Sequence, residues 1–152
     1  MANYYTDENG VFINKYGIGD KSVLSEIEYE VTTLKIAELQ KNPIQGDFNQ
    51  AHLEKIHKHL FENIYEWAGK SRDVQSAKIY MDEGRKCRTK FCHPDKFSDA
   101  FSDVSKFLVE TDNLKKIDGR ENFIDAFTNI QKQLNHIHPF PEGNGRSLQV
   151  FM

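Results

Sequence analysis

Apolar residues recur at three- and four-residue spacing in four stretches of this 152-residue chain, and that period predicts amphipathic helices. The first stripe is Leu24, Ile27, Val31 and Leu34, with Asp20 or Ser22 as its cap and Asn42-Pro43 as its stop. The second is Leu53, Ile56, Leu60, Ile64 and Trp67, capped by Asp47 or Asn49 and ended by Gly69 at the first residue past the helix. Pro94 opens the third, with Phe97, Phe101, Val104 and Leu108 inward. A turn from Asn113 to Gly119 precedes the fourth, which begins at Asp118 or Gly119 and carries Phe123, Phe127, Ile130, Leu134 and Ile137. It must stop near Ile137, because the residue before Pro139 is driven out of the right-handed helical region. A fifth helix is expected from Arg146 or just before, burying Leu148, Phe151 and Met152.

From Arg72 to Phe91 the helical period vanishes. Ile79-Tyr80-Met81, then Asp82-Glu83-Gly84, then charged residues, predict a short β-hairpin with a polar turn. Residues 1–19 are polar, aromatic and punctuated by glycine, and predict an extended arm on the domain. The expected fold class is therefore mainly α, a helical bundle with one hairpin, in a single domain over 1–152.

Composition narrows the partners. With 38% hydrophobic and 28% charged residues the chain has the balance of a soluble globular protein. A net charge of −3 gives no basis for general nucleic-acid binding. Two cysteines, Cys87 and Cys92, make no disulfide framework and fit a reducing compartment. No secretory signal or membrane-spanning run is visible, so a cytoplasmic protein is expected.

The chemistry gathers at His138-Pro139-Phe140-Pro141-Glu142-Gly143-Asn144-Gly145-Arg146. His138 supplies a base whose ordinary pKa lies near neutrality. Phe140 is the expected anchor of the loop. Gly143 and Gly145 permit positive φ and Asn144 tolerates it, so successive N–H groups can form an anion nest at a helix's positive end. Arg146 offers a fork of donors suited to phosphate. Glu142 is a hard oxygen ligand, and Mg²⁺ is commonly held by one carboxylate plus substrate phosphates. The residues alone reach a phosphate site with a base beside it.

This stretch resembles the Fic-domain signature H-P-F-x-[D/E]-G-N-G-R-x-x-R, matched from His138 to Arg146, with Gln149 in place of the last arginine. Two further blocks carry the resemblance: Ile56-His57-Lys58-His59-Leu60-Phe61 with Ile64 to Arg72, and Tyr5 to Ile18, the latter like the toxin-like bacterial subset. The resemblance implies a protein adenylyltransferase: ATP as substrate, Mg²⁺ on Glu142, phosphates over Gly143, Asn144, Gly145 and Arg146, and His138 as general base for a target's Tyr, Thr or Ser hydroxyl. Asn144 and the nest amides would stabilise charge on the α-phosphate oxygens. The hairpin would be a flap beside the active-site loop that docks the target by strand addition at Lys78, Ile79 and Tyr80. A solvated surface hairpin fits the sequence equally well.

In the family the second arginine reaches the distal phosphates; Gln149 keeps hydrogen bonding but loses charge and fork. The alternatives are a weakened or inactive nucleotide- or partner-binding module, or transfer of another group such as UMP. Fic domains also continue beyond the fifth helix, so this one is expected to be cut short. The family's inhibitory pattern [S/T]-x-x-x-E-[G/N] is met by Ser22 and Glu26 only in part, since Ile27 follows. An antitoxin-like partner, or a tail missing from this chain, is the implied inhibitor, and a topoisomerase subunit the implied target. Among the other residues, the His136/His138 pair reads as non-metallic, His57 as a structural hydrogen-bonder, His52 and His59 as solvated, and Tyr65 and Trp67 as core.

Overall fold

The computed structural model describes residues 4–152; the first three residues of the expected arm lie outside the described part. Among the described residues five α-helices and one hairpin run in the order α1 Lys21–Lys41, α2 Gln50–Phe61, β1 Ala77–Asp82, β2 Arg85–Lys90, α3 Phe97–Glu110, α4 Arg120–Ile137 and α5 Asn144–Phe151. The chain forms two compact units, Met1–Lys70 with Phe140–Met152, and Ser71–Pro139.

In the first unit α2 packs against both α1 and α5. Asp20 caps α1 by accepting from the Ser22 and Val23 amides, and Asn49 caps α2 by accepting from the His52 amide. The expected α1 stripe is corrected. Leu24 is buried, but Leu34 is 67% exposed, and the buried positions are Leu24, Glu28, Thr32 and Leu39. The helix thus turns a polar row inward, because Glu28 meets the Arg146 guanidinium of α5.

α2 also ends earlier than its apolar period. Phe61 closes it, and residues 62–70 continue in turns held by Ile64 N–H to the Phe61 carbonyl and Lys70 N–H to the Trp67 carbonyl. Ile64 and Tyr65 stay buried there, so burial outlasts the helix. The arm is turned rather than extended: Thr6 and Phe12 bridge, Asp7 accepts from the Asn9 and Val11 amides, and Tyr5 and Val11 are buried.

In the second unit α3 packs on α4. Pro94 to Lys96 form a single 3-10 turn before α3, whose Phe97, Phe101, Val104 and Leu108 are buried as their spacing predicts. α4 buries only its second half, Ile130, Leu134 and Ile137; Phe123 is 43% exposed. The hairpin pairs Asp82 with Arg85 across a two-residue turn in which Glu83 and Gly84 both have positive φ, the geometry that follows the twist of the strands.

Candidate active site

The loop after Pro139 is shaped by side chains that the first unit turns inward. Phe140 is buried and stacks on the His57 ring with centroids 3.8 Å apart. His57 is itself fully buried between two backbone groups. The Gly69 N–H donates to its Nδ1 at 2.8 Å, so the ring proton sits on Nε2, which donates to the Glu142 carbonyl at 3.0 Å. Asn144 spends both ends of its amide on Phe140, accepting from its N–H at 2.9 Å and donating to its carbonyl at 2.8 Å. These bonds close the loop from Phe140 to Asn144.

α5 starts there. Gly143 has φ 80°, and a Cβ on it would lie 2.3 Å from the Phe61 ring, so both backbone conformation and space demand glycine. Gly145 is different: it lies within the first helical turn, and a Cβ there would meet nothing within 4 Å. The four amides from Gly143 to Arg146 belong to the helix's unsatisfied first turn and carry its positive end. One is taken, since the Gly143 N–H donates to its neighbour Glu142 at 2.9 Å.

Arg146 is held by an acidic partner from α1. Its NH2 donates to Glu28 at 2.8 Å and to Glu142 at 3.4 Å, its NH1 to Thr32 at 3.4 Å, and its guanidinium lies over the Phe61 ring. Tyr65 donates its hydroxyl to the other oxygen of Glu28, and burial together with that bond pushes the Tyr65 pKa up. Glu28 therefore joins a phenol and a guanidinium in a buried polar cluster.

The imidazole of the motif belongs to the second unit. His138 ends α4 in the left-handed conformation, φ 48° and ψ 60°, the position expected by the stop at Pro139 but a less common backbone state for a residue with a Cβ. Arg72 holds it there. This buried guanidinium donates to the carbonyls of His138 at 2.8 Å, Val74 at 2.6 Å, Cys92 at 2.7 Å and Ile137 at 3.2 Å, while the Arg72 N–H donates to the Pro139 carbonyl at 2.7 Å. Phe91, the residue after β2, lies flat on the His138 ring at 3.7 Å and 3°. The His138 Nδ1 is buried, and the Asn135 backbone, one turn back along α4, is the hydrogen-bonding group that acts on this ring. Burial first, and the Arg72 charge second, lower its pKa to about 4 against the opposing hydrogen bond to the Asn135 backbone, so the ring is neutral at neutral pH.

A family model described as the Fic/DOC family matches residues 47–152. The chain belongs to the Fic/DOC family. Among its relatives is the protein adenylyltransferase VbhT of Bartonella schoenbuchensis, 36% identical over 149 residues, which cover 97% of this chain and 29% of that protein. The probable protein adenylyltransferase y4lH of Sinorhizobium fredii is 30% identical over 93% of this chain and 68% of its own length. The chain thus spans under a third of the first relative and about two thirds of the second. A solved Fic-family neighbour is BepC of Bartonella tribocorum with bound AMPPNP, at TM-score 0.82 and 26% identity over 98% of this chain and 74% of that one. The N-terminal Fic domain of a Bartonella quintana effector with bound ADP superposes at TM-score 0.82, 26% identical, over 98% of this chain and 72% of that one. The mainly helical fold with a hairpin, expected from the resemblance, is the fold of these structures.

Several expectations about the Fic motif need refinement. Gly145 is ordinary helix rather than a positive-φ turn. The Asn144 side chain is committed to Phe140 rather than free for a phosphate oxygen. Arg146 is not an open fork, although three of a guanidinium's five N–H donors account for its bonds. Glu142 gives one oxygen to Gly143 and Arg146 and keeps the other out of these bonds. Lys78, Ile79 and Tyr80 are exposed on β1. Gln149 is exposed on α5 and borders a cavity of about 460 Å³ with Ile36, Pro43 and His52. His52 is buried rather than solvated, its Nε2 2.8 Å from the Ile44 carbonyl. Sequence reasoning missed Glu28 and Phe91 and gave Arg72 no role. The one available signal for Glu28 was its place four residues from Leu24 and from Thr32 on the same helix face.

His57 makes acid stability a test of this arrangement. Burial, opposed in part by the Glu142 carbonyl, lowers its pKa from 6.5 to about 4. Above pH 6.5 both folded and unfolded rings are neutral and this group adds no pH dependence. As pH falls from 6.5 toward 4 the unfolded state takes up the proton first, so stability drops, by about 3 kcal/mol in full. Urea titrations of wild type and His57→Gln at pH 7 and near pH 4.5 check this. The wild type's advantage is expected to shrink on acidification, and a constant gap means His57 is not buried neutral.

Proposed function

We propose that the chain is a protein adenylyltransferase that moves AMP from ATP to a hydroxyl side chain of a target protein. The observation that carries the reading is the neutral imidazole of His138, stacked on Phe91 at the end of α4, within the stretch that the Fic/DOC family model matches, in a chain whose relatives are named for this activity. ATP sets its phosphates at the first-turn amides of Gly143 to Arg146, where the Gly145 backbone leaves open space for close approach. His138 accepts the hydroxyl proton as the oxygen bonds to the α-phosphorus. The bond from that phosphorus to the bridging oxygen breaks, pyrophosphate departs, and AMP remains on the target.

Mg²⁺ fits the donor set. Among the described residues no cluster of three or more His, Cys, Asp and Glu side chains could cage a metal, and Glu142 offers a single carboxylate. One carboxylate completed by substrate phosphates is a common Mg²⁺ arrangement. The ion would offset phosphate charge, and Glu142 would hold it.

The target docks through the hairpin at Lys78, Ile79 and Tyr80. Glu26 of the partial inhibitory pattern is exposed on α1, which supports inhibition by a separate antitoxin-like protein. Among the described residues no helix is long and apolar enough to cross a membrane; a cytoplasmic setting with its ATP supply suits the reaction. The test is a bacterial lysate incubated with the protein, Mg²⁺ and either labelled ATP or labelled UTP, followed by mass spectrometry. AMP on a Tyr, Thr or Ser hydroxyl is expected, with topoisomerase subunits as the first purified targets to try. Label from UTP alone, or from neither nucleotide, would overturn the reading.

A further inference from the structure

The hairpin carries a charge opposite to that of the chain. Between Ala77 and Lys90, 14 residues, five are basic and two acidic, whereas the whole chain has 20 basic against 23 acidic residues. The pairing register sorts these charges by face. Ala77, Ile79 and Met81 of β1 stand opposite Lys90, Arg88 and Lys86 of β2, and paired residues project on the same side. This face therefore holds three cations in a row beside two large apolar side chains, Ile79 at 59% and Met81 at 67% exposure. The two acidic residues, Asp82 and Glu83, sit at the turn and not in that row. No ion pair within the described residues engages Lys86, Arg88 or Lys90.

Such a row is not what hairpin stability selects. Alternate residues on one strand lie about 7 Å apart, and like charges at that distance repel. A two-stranded hairpin is marginal to begin with, and cross-strand carboxylates opposite the cations would have steadied it. Instead β2 offers three unneutralised cations at the two-residue period of an extended chain. Each strand of the sheet also has a free edge of backbone donors and acceptors.

We infer that this face selects target segments that bind in extended form with Asp or Glu at alternate positions. Strand addition through the backbone is indifferent to sequence, while side chains of the added strand on this side come within reach of Lys86, Arg88 and Lys90. Ile79 and Met81 supply apolar contact beside the charged row. The hairpin thereby discriminates among hydroxyl-bearing proteins by the charge around the hydroxyl. The inference rests on the reading of the chain as a protein-modifying enzyme.

Fluorescence anisotropy tests it with the intact chain and a tyrosine peptide bearing glutamate at three alternate positions. The same peptide with glutamine there, and an oligodeoxythymidylate, are the comparison probes. The glutamate peptide is expected to bind about ten-fold more tightly than the glutamine peptide at low salt, with the gap narrowing as salt rises. The Lys86→Gln/Arg88→Gln/Lys90→Gln variant should lose that preference while its circular dichroism and its calorimetric ATP binding stay as in wild type. Equal affinity for the two peptides, an unchanged preference in the variant, or an oligonucleotide bound as tightly as the glutamate peptide would each overturn the inference. Peptide binding needs no chemistry, so a chain that prefers the glutamate peptide yet never transfers label would overturn the adenylyltransferase reading and leave the acidic selectivity standing.

Discussion

Replacing His138 with alanine is expected to lower AMP transfer by about 10²- to 10⁴-fold, the usual worth of a positioned proton acceptor, with calorimetric ATP binding retained. The pH profile separates this role from a structural one. A base works only when deprotonated. With a pKa near 4, the wild-type ring stays available well below pH 6.5, so transfer is expected to hold level to about pH 5 and to fall through about 4. An imidazole outside this environment would begin to lose rate near pH 6.5. Transfer by His138→Ala at the wild-type rate would remove the base from this position. A profile falling near 6.5, with the fold intact by circular dichroism, would contradict its burial.

Arg72→Met is expected to cost at least about 3 kcal/mol and to lower the melting temperature by roughly 10 °C. The side chain donates to four backbone carbonyls, and a thioether donates to none, which leaves those of Val74, Cys92, Ile137 and His138 in need of other donors. The loss falls on two places together. Val74 and Cys92 flank the hairpin, while Ile137 and His138 end α4. The left-handed turn at His138 loses its tether, and the charge that helps hold the ring neutral disappears. Transfer should therefore fall, and the acid limb of any residual activity should move to higher pH. Arg72→Lys keeps the charge without the planar fork, so it should recover the position of the acid limb better than the melting temperature. A methionine variant that melts within a degree or two of wild type would show that Arg72 is dispensable.

These two residues illustrate what is legible in the sequence. The stop after Ile137 follows from Pro139, and α3 follows from four apolar residues at helical spacing, because each depends on neighbours along the chain. Arg72 is visible as a letter in a recognisable block, but it acts on carbonyls up to 66 positions away, which no local pattern encodes. Glu28 misleads the α1 stripe for a related reason. A carboxylate on a helix is assigned to solvent unless its partner is known, and that partner, Arg146, arrives 118 residues later. The apolar period draws α2 too long because Ile64 keeps that period while the backbone has already turned. Asn144 sits where the motif puts it but acts differently. Its amide staples the loop, and the space beside Gly145 is what stays open.

Phe61 has a consequence for how this motif can vary. One region of its ring meets Gly143 more closely than any methyl group permits, and the ring also lies beneath the Arg146 guanidinium. Two letters of the signature are thus moulded around one aromatic plate from a different helix. Drift at Gly143 is barred by its partner's bulk as well as by its own dihedral angle, and a smaller residue at 61 relieves only the first. The glycine's permanence in such a chain is inherited from architecture before any nucleotide arrives.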